Sequence, residues 1–282
     1  MQPDATLRKN GAIFVLLAPG ALLIGIFLAA LVVAGLISLH DPEGNVSLAQ
    51  YRRFLSDPFY LGFMWRSFRV AAYCTPITLL LGYPFAYVMA RSGQAVRLTL
   101  TLLLVVQFFT SYIVRTYALI LVLGNNGIIN RALLQLGLIE RPVSLLFHEA
   151  GVAIGLILVP LPFMIFPIYS VLKNLERNLE AAAASLGASR LRTFVHVTLP
   201  LSLPGVLAGI VLVFLFDLTA YIMPGMMGGG YFNMIANIIQ EQAMAVLDTP
   251  FAAAMSVVLL VIALLTLIVI QRLSSQLRGL RT

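Results

Sequence analysis

Lysine is almost missing from this chain. Lys9 and Lys173 are the only two; Lys9 follows Arg8, and Lys173 precedes Asn174. A phosphate-cradling loop needs a glycine-rich turn closing on Lys-Ser or Lys-Thr, so neither lysine can serve one. The chain is therefore not itself an ATPase of that class. Cysteine occurs once, as Cys74 within an apolar run, which excludes an internal disulfide and reads as a small buried hydrophobe. The three histidines (His40, His148 and His196) fall in loops or at the ends of apolar runs, which disfavours a serine–histidine dyad inside a membrane. No group of His, Cys, Asp and Glu has the spacing of metal ligands. These absences argue against covalent catalysis: the chain is expected to be no enzyme and to hold no cofactor.

Charge is the next scarcity. Only 10% of residues are charged, against roughly 25% in a soluble domain. What replaces charge is apolar: 60% of the 282 residues are hydrophobic, and the mean hydropathy is +0.97. This is the composition of an all-α integral membrane protein, with no sign of a separate soluble domain. A span needs about 20 predominantly apolar residues. Six segments qualify: Gly11 to Leu39, Val70 to Ala90, Leu98 to Leu123, Val152 to Leu172, Leu203 to Met223 and Phe251 to Gln271. The first is too long for a signal-peptide core and lacks a clear cleavage end, so it reads as a retained span. Prolines 160, 162 and 167 read as packing kinks in span four.

Six spans put both termini on one side, and the loops say which. With the N-terminus inside, 11 of the 18 Lys and Arg lie on that face against three acids (Asp4, Glu176 and Glu180). The other face carries seven basic and seven acidic residues, the acids being Asp41, Glu43, Asp57, Glu140, Glu149, Glu241 and Asp248. The positive-inside rule then predicts N- and C-termini in the cytoplasm. The net charge of +7 is thus a topology signal, since its residues are spread over loops. The outer loop at 40–68 includes Tyr51, Phe54, Phe59, Tyr60, Phe63 and Trp65, readable as an interfacial belt or as a landing surface for an external protein. Between Gly124 and Gly151, the spacing of Ile129, Leu133 and Leu136 predicts a short helix. Gly228, Gly229 and Gly230 mark a hinge, or a backbone that something approaches closely.

The stretch at 173–202 is helical in pattern but too polar to cross a bilayer. Leu175, Leu179, Ala182 and Leu186 form a narrow stripe, Ala181 to Ala184 keep the surface flat, and Gly187 can end the helix. Ser189 can cap a second helix with an apolar face of Leu191, Phe194 and Val195, which Pro200 and Pro204 are expected to break. Two short helices with a sharp bend make a knob for a socket. The bland alternative is an amphipathic hairpin lying on lipid.

Gly187, nine residues, Val197, one residue and Leu199-Pro200 reproduce the G-x9-I-x-L-P half of the EAA signature, with Val for Ile. In this the chain resembles the membrane subunits of ABC importers of the spermidine/putrescine type. Other stretches are similar to the same pattern: Gly82-Tyr83-Pro84-Phe85-Ala86-Tyr87, Thr110-Ser111-Tyr112-Ile113-Val114-Arg115, Asn126 to Asn130, Pro224 to Gly230, and Met234 to Met255. The likeness covers roughly Val70 to Leu260. It departs at one point, because the usual glutamate position is Ala181 and the acid here is Glu180, one residue earlier.

The resemblance implies a type I ABC importer permease fold, with residues 1–282 forming one transmembrane domain in a bacterial inner membrane. It implies that Glu180, Ala181, Ala182, Ala183, Gly187, Ala188, Ser189, Leu199 and Pro200 belong to a loop gripped by a cytoplasmic ATPase. ATP and Mg would sit on that partner, not on this chain. A second, homologous permease, two ATPase subunits and an external solute-binding protein complete the implied machine. The implied solute is a polyamine, with another small amine, amino-acid derivative or organophosphonate as the alternative. For the pathway, Asp217 is the sole acid well inside a span, where a carboxylate is expensive and a functional candidate by default. Tyr112, Ser111, Thr219 and Tyr221 could join it, the tyrosines offering ring faces to a cation. Arg115, near the outer end of span three, is its partner by charge or else snorkels to the interface, so a structural Asp217–Arg115 pair stands beside the pathway reading. A cation-coupled secondary carrier is the rival from another class. It would be expected to show inverted repeats, discontinuous helices and several buried ionisable groups, and neither a convincing repeat nor an ionisable residue in a span beyond Asp217 and Arg115 is seen.

Overall fold

The computed structural model describes residues 5–40, 44–175 and 177–279. Asp4, Asp41, Glu43, Glu176 and Arg281, counted above, lie outside that set, as do the side chains of Arg8, Lys9, Arg177, Ala181 and Arg278. Among the described residues the chain is helical, apart from a single bridge between His40 and Val46. Six segments are long and apolar enough to cross a membrane: Leu17–Ile37, Pro58–Arg91, Tyr112–Gln135, Glu149–Asn174, Arg190–Leu218 and Thr249–Arg272. The sixfold count expected from hydropathy holds, while several boundaries move.

The helices are α1 (Ala5–Ile37), α2 (Ala49–Ser56), α3 (Pro58–Arg91), α4 (Gln94–Phe109), α5 (Tyr112–Leu123), α6 (Ile128–Gln135), α7 (Glu149–Leu158) and α8 (Leu161–Asn174). They continue as α9 (Arg177–Ser185), α10 (Arg190–Thr193), a π-turn at Phe194–Thr198, α11 (Leu199–Leu218), α12 (Ile222–Met227), α13 (Ile235–Met244) and α14 (Thr249–Gly279). Much of the expected first outer loop is helix, because α3 begins at Pro58, whose fixed φ suits the first turn. The expected short helix after span three forms as α6.

Two compact units are present: residues up to 58 with Ile239–Leu260, and Phe59–Ile238 with residues from Val261 on. In the first, α1 exposes its apolar side chains from Leu17 to Ile37, as a helix facing lipid can without cost. Arg53 stacks 3.9 Å from the Phe251 ring centroid and bonds Asp248 at 2.8 Å, while Asp248 Oδ1 accepts from the Phe251 amide near the start of α14. In the second unit, one core gathers side chains from α3, α5, α7 and α12 around Met223 and Leu156. Another gathers α3, α4, α8 and α11 around Met164, Ile168 and Val213. Helices α8 and α11 meet closely: a side chain on Gly209 would come 2.7 Å from the sulfur of Met164. Small residues let helices approach where lipid offers no hydrophobic drive for association.

Two spans are broken. Thr110 and Ser111 adopt extended backbone between α4 and α5, so the predicted continuous span at 98–123 is two helices. Span four, expected only to kink, divides between α7 and α8 at Val159–Pro160, because Pro160 and Pro162 lack the amides that would continue the ladder. At Pro200 and Pro204 the opposite occurs. The expected break does not form, since the wider π-turn ends with the Leu199 amide bonding Phe194 and Pro200 falls in the first turn of α11. Span five then ends at Leu218, short of the predicted Met223. At the triple glycine, the close-approach reading holds: the Phe147 ring lies over Gly229, leaving no room for a side chain there.

Candidate functional site

The loop between α8 and α11 has the bend its residues predict. Gly187 takes φ +82°, the left-handed region that favours glycine, and Ala188 N–H bonds Ala183 O at 3.1 Å, a Schellman closure of α9. Ser189 caps α10, its Oγ accepting from the Arg192 amide at 3.3 Å. The second helix divides its expected apolar face. Leu191 and Val195 are exposed, whereas Phe194 packs edge-on against Tyr83 and Tyr87 of α3, with centroids 5.6 and 5.8 Å away. Leu186 is 89% exposed, so the tip is apolar and unprotected by its own chain. Ala182 is exposed, and Ala183, Ala188, Leu199 and Pro200 are half-buried.

Glu180 turns back into the protein. Its Oε1 accepts from Arg91 Nη2 at 2.6 Å and from Thr198 Oγ1 at 2.9 Å. Arg91 ends α3, and Thr198 closes the π-turn. Neither partner was legible in the sequence, which placed them 89 and 18 residues away.

The second feature is a cavity of about 370 Å³ between the broken spans and the end of α11. Phe108, Tyr112, Phe163, Phe216 and Tyr221 supply aromatic walls, with Arg115 and Thr219 among its polar edges. Four of the six predicted pathway residues (Tyr112, Arg115, Thr219 and Tyr221) therefore meet there. Ser111 does not; it is exposed in the break before α5. Asp217 also lies off the cavity surface, fully buried one residue from Phe216, and both its oxygens lack a hydrogen-bond partner.

The Asp217–Arg115 pair, one of the two readings of Asp217, does not form. Ion pairs that do form among the described residues include Arg53–Asp248, Arg69–Glu149 and Arg91–Glu180. The reason is the break in span four. Pro162 offers no amide to the Leu158 carbonyl, and the Phe163 amide bonds Pro160 instead of Val159. The Leu158 and Val159 carbonyls are thus among those left without a helix donor in an apolar setting, where an unpaired one is costly. Gln107 meets the first, donating to Leu158 O at 2.8 Å, and Arg115 meets the second, donating to Val159 O at 3.3 Å. Arg115 thus gives Nη1 to backbone, while its Nε has no hydrogen-bond partner. Prolines two apart in a span were the available signal that neighbouring helices must supply donors.

The model of the family "Binding-protein-dependent transport system inner membrane component" matches residues 82–279, over two-thirds of the chain. The chain belongs to that family. It is also 37% identical over 260 residues to the spermidine/putrescine transport system permease protein PotB of Escherichia coli (strain K12), covering 90% of this chain and 94% of that protein. Its fold is similar to a bacterial ABC transporter involved in import of the acidic polysaccharide alginate (TM-score 0.75, 16% identity, covering 96% of this chain and 97% of that one). The same holds for a bacterial alginate ABC transporter in complex with a periplasmic protein bound to an alginate pentasaccharide (TM-score 0.71, 15% identity, covering 96% of both chains). As an inner membrane component of this family, the chain is a multi-pass transport permease of the type I ABC importer fold.

Proposed function

We propose that this permease is one of two homologous membrane subunits of an ATP-driven polyamine importer, with residues 1–282 acting as one transmembrane domain. Two ATPase subunits bind ATP and Mg, and this chain binds no cofactor. The bend at Gly187 is the point they grip, from a cytoplasm that also holds both termini, as the Lys and Arg distribution supports. An external binding protein delivers the solute. ATP binding and hydrolysis rock the spans between inward-open and outward-open states.

One observation carries the solute class: an aromatic-walled cavity, with Asp217 buried one residue along the chain from its wall residue Phe216 and making no hydrogen bond to its own chain. Ring faces attract ammonium groups and pack against methylenes, and a carboxylate held in a span costs roughly 2.5–3.5 kcal/mol on insertion scales unless something is gained. Its volume lies within the range of small-molecule pockets, about 300–1,000 Å³. The identity to PotB points the same way.

The test is uptake of labelled spermidine into proteoliposomes holding the full importer. The expected result is uptake that needs both ATP and the binding protein. Uptake driven by a cation gradient alone would instead establish a secondary carrier. A second reading, a solute bearing both an ammonium and an acidic group, is favoured by Arg115 on the cavity wall. Competition of spermidine uptake by such amino-acid derivatives, with none by putrescine, would select it.

A further inference from the structure

Glu180 lies in the first turns of α9, yet it does not face outward to a partner. Displacement by one residue from the usual position turns a side chain about 100° around a helix, and here that rotation points the acid at its own chain. One oxygen, Oε1, receives both Arg91 and Thr198, and the Arg91 and Glu180 side chains are only 15% and 22% exposed. Three elements meet at that atom: the end of α3, the first turns of α9, and the π-turn leading into α11. Beside it, Phe194 sits against Tyr83 and Tyr87, and Tyr83 bonds Ser202 across α3 and α11 at 2.8 Å. The node thus ties α9 to the end of α3 and to the π-turn across 89 and 18 residues of chain.

We infer that the Arg91–Glu180–Thr198 node is a positioning device that locks the loop to α3, so that a push at the Gly187 bend moves α3 together with α8 and α11. The inference rests on the reading of that bend as the ATPase-gripped point. The exposed Leu186 and Leu191 are then left to meet the partner, while Glu180 works inside. Arg91, Glu180 and Thr198 are positioning residues: they touch neither solute nor nucleotide.

The experiment uses the complete importer in proteoliposomes and reads solute imported per ATP hydrolysed. Arg91→Glu and Glu180→Arg should each lower that ratio at least fivefold while ATP hydrolysis continues. The double charge reversal should recover at least half the wild-type ratio. A glutamate that contacted the ATPase would not be rescued by a change at Arg91, so an unrescued double variant overturns the inference. Wild-type ratios in both single variants overturn it as well. Should the single variants fail to assemble, assembly is the readout: recovery in the double variant supports the node, and failure to recover refutes it. Uptake that proceeds without ATPase subunits overturns the reading of the bend itself, and the inference with it.

Discussion

Glu180 and Asp217 are both carboxylates held largely away from water, and the protein treats them in opposite ways. Glu180 receives a guanidinium and a hydroxyl on one oxygen, at 2.6 and 2.9 Å. Asp217, fully buried in α11, receives neither a charge nor a donor. The loop side satisfies its carboxylate from within the chain; the cavity side leaves the Asp217 oxygens, the Tyr112 hydroxyl and Arg115 Nε without hydrogen-bond partners. A satisfied group stabilises the fold, whereas an unsatisfied one weakens it and persists where a ligand or a second state can use it.

Four substitutions bear on this contrast. Glu180→Ala removes the carboxylate that receives both Arg91 and Thr198 and should have the largest effect, about 2–3 kcal/mol of stability, below the range for fully buried pairs because both side chains of the ion pair retain some exposure. A thermal or denaturant melt of the purified protein checks it; an unchanged midpoint would erase the difference between the two acids. Asp217→Asn should lower spermidine uptake about tenfold, equivalent to roughly 1.4 kcal/mol, while leaving the melting temperature unchanged or raised. Unchanged uptake kinetics with a lowered midpoint would make Asp217 structural after all. Gln107→Leu leaves the Leu158 carbonyl unpaired and should cost about 1 kcal/mol in the same melt. If it does not, the junction of α7 and α8 finds another donor, and Arg115 becomes freer to act in the cavity than its bond to Val159 suggests. Ser189→Ala should have the smallest effect, about 0.5 kcal/mol, seen as faster hydrogen exchange at the Arg192 amide with uptake preserved.

Much of the loop was readable in advance because its determinants are local. Gly187 closes α9, and Ser189 caps α10, through atoms no more than five residues apart in the chain. The broken spans were half-readable. Pro160 and Pro162 announce missing amides, but a proline can also kink a helix without dividing it, and its neighbours settle which. The split at Thr110–Ser111 carried no such warning, since neither residue forbids a helix. Pro200 misled in the other direction, because the π-turn before it absorbs the missing bond. Pairing by charge alone misled most. Arg115 and Asp217 were the two ionisable residues predicted within spans, yet a nearby orphaned carbonyl claimed the guanidinium.

From residue order alone followed the membrane character, the six spans, the bend and the family likeness, for each rests on composition or on short-range periodicity that hydropathy and backbone geometry enforce. Three-dimensional packing alone decided the partners: Arg91 and Thr198 for Glu180, backbone for Arg115 and Gln107, and none for Asp217. A side chain's hydrogen bonds depend on which donors and acceptors converge within about 3 Å, and convergence across helices is set by how the spans pack, not by spacing along the chain.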